Sequence, residues 1–202
     1  MQFPDFFAAA PVIRLHDPLA AFLGATTDGI IEYRYEDAVR LAGHSCPTVA
    51  SAFLMTRTAL AALYGNELPQ RGEIRVDLAE AQDAGVAGVI ASIATLVTGA
   101  TADTGFRGLG GQFNRRNKLF FNQPLKQGSA RFTRMSDDVS VEVGTDLSSV
   151  GGNSRIGELM PLCLSGEATV SQQQEFRILW QERVRLLLLE HANDPQVIKL
   201  YQ

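Results

Sequence analysis

The apolar positions change period along the chain, and each change marks an element. Residues 1–35 hold no sustained period. Pro4, Pro11 and Pro18 interrupt them while Phe3, Phe6 and Phe7 supply apolar anchors, which predicts an arm. Within it, Asp17 to Gly24 carries the marks of a short capped helix: Asp at the N-cap, Pro18 at the first helical position, Gly at the end. From Glu36 to Tyr64 the spacing is helical but broken at Gly43. Val39, Leu41 and Ala42 close one short helix. A second starts at Pro47 or Thr48, carries Val49, Ala52, Phe53, Leu60 and Leu63 on one face, and stops at Gly65.

Further on, Ile74 to Leu78 alternates as a strand does, and Gly85 to Thr98 returns to a helical pattern rich in Ala, Val and Ile. A loop dense in glycine follows, from Gly99 to Gly111. Lys118 to Phe121, Ala130 to Met135 and Val139 to Val143 read as strands, with Ser136-Asp137-Asp138 as a hairpin turn between the last two. Residues 144–170 form a connection with a short helix at Ile156 to Leu164. Ser171 to His191 is an amphipathic helix with Phe176, Leu179, Trp180, Val184, Leu187 and Leu188 on its apolar face. The expected fold is α+β: an α-β-α-β-β-β core with a mixed sheet over residues 36–145, an N-terminal arm over 1–35, and a connection with a C-terminal helix over 146–202, all one domain.

Composition narrows the picture. An apolar share of 46% in 202 residues is enough for a packed core without disulfides or metal. The chain's 2 cysteines, Cys46 and Cys163, lie far apart, which excludes a disulfide scaffold or a zinc ribbon. Reduced thiols fit a cytoplasmic protein. The formal net charge of −4 argues against nonspecific nucleic-acid binding, which rests on neutralising phosphates. The N-terminal residues lack the basic region of a signal peptide. The most apolar stretch, Val86 to Ala100, is too short to span a bilayer. No nucleic-acid or membrane partner is expected.

The segment Gly43-His44-Ser45-Cys46-Pro47 is where chemistry concentrates. Pro47 suits the first position of a helix, which puts Cys46 at the helix N-terminus, where free amides and the dipole favour a thiolate. His44 sits two residues away on a non-helical bend, so its imidazole can converge on the sulfur. Thiolate beside imidazole suits Zn(II) or a related divalent transition metal, and equally a nucleophilic cysteine with a histidine base.

That segment resembles the motif of the FmdE-like family, named for a small component of formylmethanofuran dehydrogenase, in which Gly-His-x-Cys-Pro-Gly opens a long helix. The likeness runs over residues 36–145: a strand, a small-residue helix, a Gly-x-Thr…Gly stretch matched by Gly99-Ala100-Thr101 and Gly105, then paired strands. The resemblance implies a metal site at His44 and Cys46 and a homodimer with exchanged segments. It does not imply the dehydrogenase activity, which belongs to a large molybdenum or tungsten complex. The chain departs from the family in three places. Thr48 stands for the usual glycine, and Gly85 and Ala100 stand where members often carry further cysteines. Remaining ligands would come from elsewhere in the chain, from water, or from a second copy of the chain.

Other candidates are weaker. His16, beside Asp17, could fold over the site as a metal ligand, though a surface histidine beside an N-cap fits as well. Asp83 reads as a solvated N-cap, His191 as a helix-end cation, Cys163 as a small buried hydrophobe. Arg107 and Arg115-Arg116 could hold an anion, but a solvated loop face is the plainer reading. The function expected is a zinc-binding protein in an accessory or small-molecule-binding role, acting as a homodimer. A metal- or cysteine-dependent hydrolase or transferase is one alternative, and a dimeric interaction module with a vestigial site another.

Overall fold

A computed structural model describes residues 2–201. Its larger sheet has five strands: β3 (Ile74–Leu78), β4 (Leu119–Phe120), β5 (Ala130–Arg134), β6 (Val139–Thr145) and β7 (Ile198–Tyr201). They lie in the order β4-β3-β5-β6-β7, with β3 and β4 parallel and every other pair antiparallel, so the sheet is mixed and the fold is α+β. Two more strands, β1 (Ile13–His16) and β2 (Ile30–Tyr33), pair antiparallel as a separate ribbon around α1 (Pro18–Leu23). The remaining helices are α2 (Tyr35–Ala42), α3 (Pro47–Tyr64), α4 (Ala87–Thr98), α5 (Arg155–Ser165) and α6 (Val170–Arg185).

The centre of the molecule is α3. Every residue from Val49 to Thr56 is buried, so the helix is enclosed on all sides there and not on one face alone. Small residues make this possible. Ala50, Ser51, Ala52 and Ala59 let neighbouring elements approach, while Ser51 and Thr56 return their hydroxyls to the backbone carbonyls of Thr48 and Ala52. The sheet covers one side and α2 and α4 another.

The arm belongs to this core. Phe7 is buried and meets the Tyr35 ring edge-on at 4.9 Å, and Tyr35 in turn packs against Phe53. Ile13 and Leu15 of β1 are buried with them. The arm therefore covers its own chain's core, and its aromatic anchors are already used.

What fastens the arm is a buried ion cluster. Asp17 caps α1 as expected, accepting from the amides of Leu19 and Ala20, yet it is only 3% exposed. Its second duty explains the burial: Oδ1 accepts from Nη2 of Arg115 at 2.6 Å, and Oδ2 from Nη1 of Arg71 at 3.0 Å. Arg115 is 5% exposed, so the reading of Arg115 as a solvated loop cation is overturned, its partner lying 98 residues away in sequence. Arg71 also donates to the carbonyls of Leu96 and Val97 at the end of α4. Gly72, with φ of +91°, gives the Arg115 guanidinium its room, since a Cβ there would overlap Nη1. Burial pushes the Asp17 carboxyl up, but the two guanidinium groups and the Ala20 amide outweigh it and hold it below its ordinary value.

Several boundaries differ from the sequence reading. The small-residue helix starts at Ala87, not Gly85, because Gly85 adopts φ of +50°. Val86 occupies its N-cap position, so Asp83 does not cap it. The C-terminal helix ends at Arg185; Leu186–Glu190 widens into a π turn before the chain reaches β7. Cys163 is only partly buried. His191 bonds Asp194 at 2.9 Å. The turn at Ser136-Asp137-Asp138 is present, with Asp138 in the left-handed region and Asp137 held by Arg134.

Candidate functional site

The break between α2 and α3 follows directly from its residues. Gly43 ends α2 in the left-handed conformation, with φ of +74° and its amide on the Val39 carbonyl. Cys46 is extended, with φ −149° and ψ 168°, and Pro47 opens α3. The residues between the two helices therefore form a tight corner.

Cys46 is the N-cap of α3. Its sulfur accepts from the Val49 amide at 3.5 Å, and its carbonyl receives the Ala50 amide. The side chain is half-buried. His44 is exposed, and its Nδ1 lies 3.0 Å from the Ala42 carbonyl. A carbonyl only accepts, so Nδ1 carries a proton, and in the neutral ring the lone pair is on Nε2. Nε2 has no protein partner among the described residues. A backbone carbonyl fixing one imidazole nitrogen so that the other can ligate is the arrangement that metal-binding histidines use.

Ser45, between the two, is held more firmly than either. Its carbonyl accepts from Trp180 Nε1 at 3.0 Å and Gln181 Nε2 at 3.2 Å, while its Oγ donates to Gln181 Oε1 at 3.0 Å. The Tyr35 hydroxyl completes the set, donating to Ser45 Oγ at 3.0 Å. Burial pushes the Tyr35 hydroxyl well above its ordinary range, so it stays protonated and serves as a donor. These partners, 10 and about 135 residues distant, carry no local signal in the sequence.

The other sequence candidates lie elsewhere. His16 is on β1, its Nδ1 2.9 Å from Gln70 Oε1 and its ring packed over Gly29. Ala100 is fully buried and Gly85 bends beside Glu80, so neither position supplies a donor atom in place of a cysteine. Among the described residues no three His, Cys, Asp or Glu side chains gather closely enough to hold a metal ion. The donor chemistry of His44 and Cys46 fits zinc, but as two ligands of the four that a closed tetrahedral site uses.

A groove of about 360 Å³ lies along α4, between Leu41 of α2 and Phe121 beyond β4. Its lining includes Ala91, Ser92, Thr95 and Thr101 and no charged side chain. The hydroxyls of Ser92, Thr95 and Thr101 donate to backbone carbonyls of Gly88, Ala100 and Arg115, and Gln82 and Thr104 add further polar groups to a largely apolar wall. No helix among the described residues is long and apolar enough to cross a membrane. No protein-family model matches this chain, and no curated protein sequence matches it.

Proposed function

We propose that the chain is a metal-binding protein of the FmdE-like kind, in which His44 and Cys46 ligate one divalent transition metal, zinc by donor chemistry. The observation that carries the reading is the His44 ring, its proton committed to the Ala42 carbonyl and its Nε2 lone pair left free at an exposed corner two residues from a helix-capping sulfur. Bound zinc would act there as a Lewis acid and keep the Cys46 sulfur deprotonated. The chain's own part is to present the two donors from a corner that Ser45 fixes.

One chain supplies half of a tetrahedral set, so the reading includes a homodimer. His44 and Cys46 of the partner subunit complete a two-histidine, two-cysteine site on the symmetry axis. The groove beside α2 supports a small, largely apolar ligand as the molecule served, in an accessory role.

Elemental analysis of untagged protein, purified without chelator under reducing conditions, tests this. The expected content is about half an ion per chain, lost in both Cys46→Ala and His44→Ala. Light scattering at low micromolar concentration should give a dimer mass. Metal content near zero in the native protein overturns the metal site; one ion per chain on a monomer overturns the shared site.

A further inference from the structure

The outer part of α6 has little reason to lie where it does. Of its residues only Val184 is buried, while Val170 at its start and Leu164 at the end of α5 are each 82% exposed. The α5–α6 hairpin buries Leu159 outside the main core cluster and pairs Arg155 of α5 with Glu175 of α6. It is tied to the body by Val184 in the main core, by Arg183 on the Leu147 carbonyl, and by Trp180 and Gln181 on Ser45. Trp180 and Gln181 thus converge on the one residue that separates His44 from Cys46.

We infer that docking of the α5–α6 hairpin and metal binding at the His44–Cys46 corner are coupled through Ser45, with Trp180 and Gln181 as positioning residues. This rests on the metal reading above. The coupling follows from two facts. The Ser45 carbonyl leads directly into the Cys46 amide, so its direction sets where the Cys46 backbone starts α3. The Gln181 amide grips Ser45 at both the hydroxyl and the carbonyl, which fixes the rotation of the residue and not only its distance. An undocked hairpin would leave the corner free to turn between Gly43 and Pro47 and scatter the two donors. Linkage is reciprocal: whatever steadies the corner, a metal ion included, steadies the hairpin to the same extent. The hairpin is thereby a control arm on the site, attached at the point where movement matters.

Trp180 is the chain's single tryptophan, so its emission reports the joint directly. The test titrates zinc chloride alone into the metal-free full-length protein. Affinity is read by competition with a chromogenic chelator, and Trp180 emission is recorded on the same samples. Zinc should shift the emission of the wild type and leave that of Cys46→Ala unchanged. Gln181→Leu and Trp180→Phe should weaken zinc about tenfold, the scale seen when groups that orient metal ligands are removed. Glu142→Gln, a destabilising change remote in sequence from the corner, should keep wild-type affinity, which separates positioning from general loss of stability. Ser45→Ala, which keeps the carbonyl, should fall between. Zinc binding with unchanged emission, or Gln181→Leu binding as tightly as the wild type, overturns the coupling while sparing the metal site. Absence of zinc binding overturns both.

Discussion

Two helices in this molecule begin in nearly the same way and end up with opposite roles. Both α1 and α3 open with a capping side chain followed by proline, Asp17-Pro18 and Cys46-Pro47, and each cap has a histidine close before it. At α1 the cap is fully engaged. Asp17 is enclosed by Arg71, Arg115 and two amides, and His16 is bonded to Gln70. At α3 the cap accepts one long bond from Val49, and His44 keeps a free nitrogen at the surface. The same local grammar thus serves fastening in one place and leaves binding capacity in the other. What decides is whether the rest of the fold brings a countercharge to the cap.

Substitution at the two caps should separate them. Asp17→Asn leaves the Arg115 guanidinium buried without its countercharge and should cost about 3–5 kcal/mol, measured by urea unfolding. Cys46→Ala should cost no more than about 0.5–1 kcal/mol, because a long sulfur contact is a weak cap. Equal losses would break the contrast.

A third carboxylate sharpens it. Glu142 on β6 accepts from the amides of Lys126, Gln127 and Gly128 and from Arg131, a solution like that at Asp17 but nearer the surface. Burial pushes its carboxyl up, and these donors outweigh burial to bring it down to about 2. Glu142→Gln should therefore cost about 2 kcal/mol, the scale of hydrogen bonds to a charged group.

The acid limb carries the same information. Asp17 and Glu142 both titrate lower in the folded chain than in the unfolded one. Their contribution is full above the unfolded carboxylate range of about 4 and is lost as pH falls through the folded values. Unfolding followed from pH 6 to 2 should show a steep loss in the wild type and a shallower one in either variant. A variant that follows the wild-type slope would remove its carboxylate from the account.

The smallest effect concerns thiol chemistry. Cys46 at a helix N-terminus should alkylate faster than Cys163, which lies within α5, and zinc should protect Cys46 alone. Site-resolved mass spectrometry across pH measures both. Faster labelling of Cys163 would show that the α3 terminus does not activate its cap.

Much of this is legible in the sequence because its causes are local. Gly43, Pro47 and the helical spacing on either side are enough to place the corner, and Asp17-Pro18 to place a cap. The strands β1 and β7 leave no such mark. Ile13 to His16 lies between Pro11 and Pro18, and Ile198 to Tyr201 offers too few alternations to stand out. Burial of Arg115 is hidden for another reason. A loop arginine is ordinarily solvated, and only a partner 98 residues away makes it otherwise. The corner's donors can be named from sequence, but the groups that hold them cannot, since Trp180 and Gln181 reach Ser45 across about 135 residues. The arm's phenylalanines read in the sequence as apolar anchors, and Phe7 is one, but its partner Tyr35 cannot be named from the sequence.

Gly72 gives the ion cluster an evolutionary signature. The position carries no chemistry, touches no candidate ligand, and lies on neither helix that begins with the paired motif. Yet a single added methyl group would displace the Arg115 guanidinium and so release the arm. In any lineage that keeps Asp17 and Arg115, glycine at this place should be fixed. Where it changes, the two charged residues should be lost along with it, a correlated triplet whose members sit at residues 17, 72 and 115.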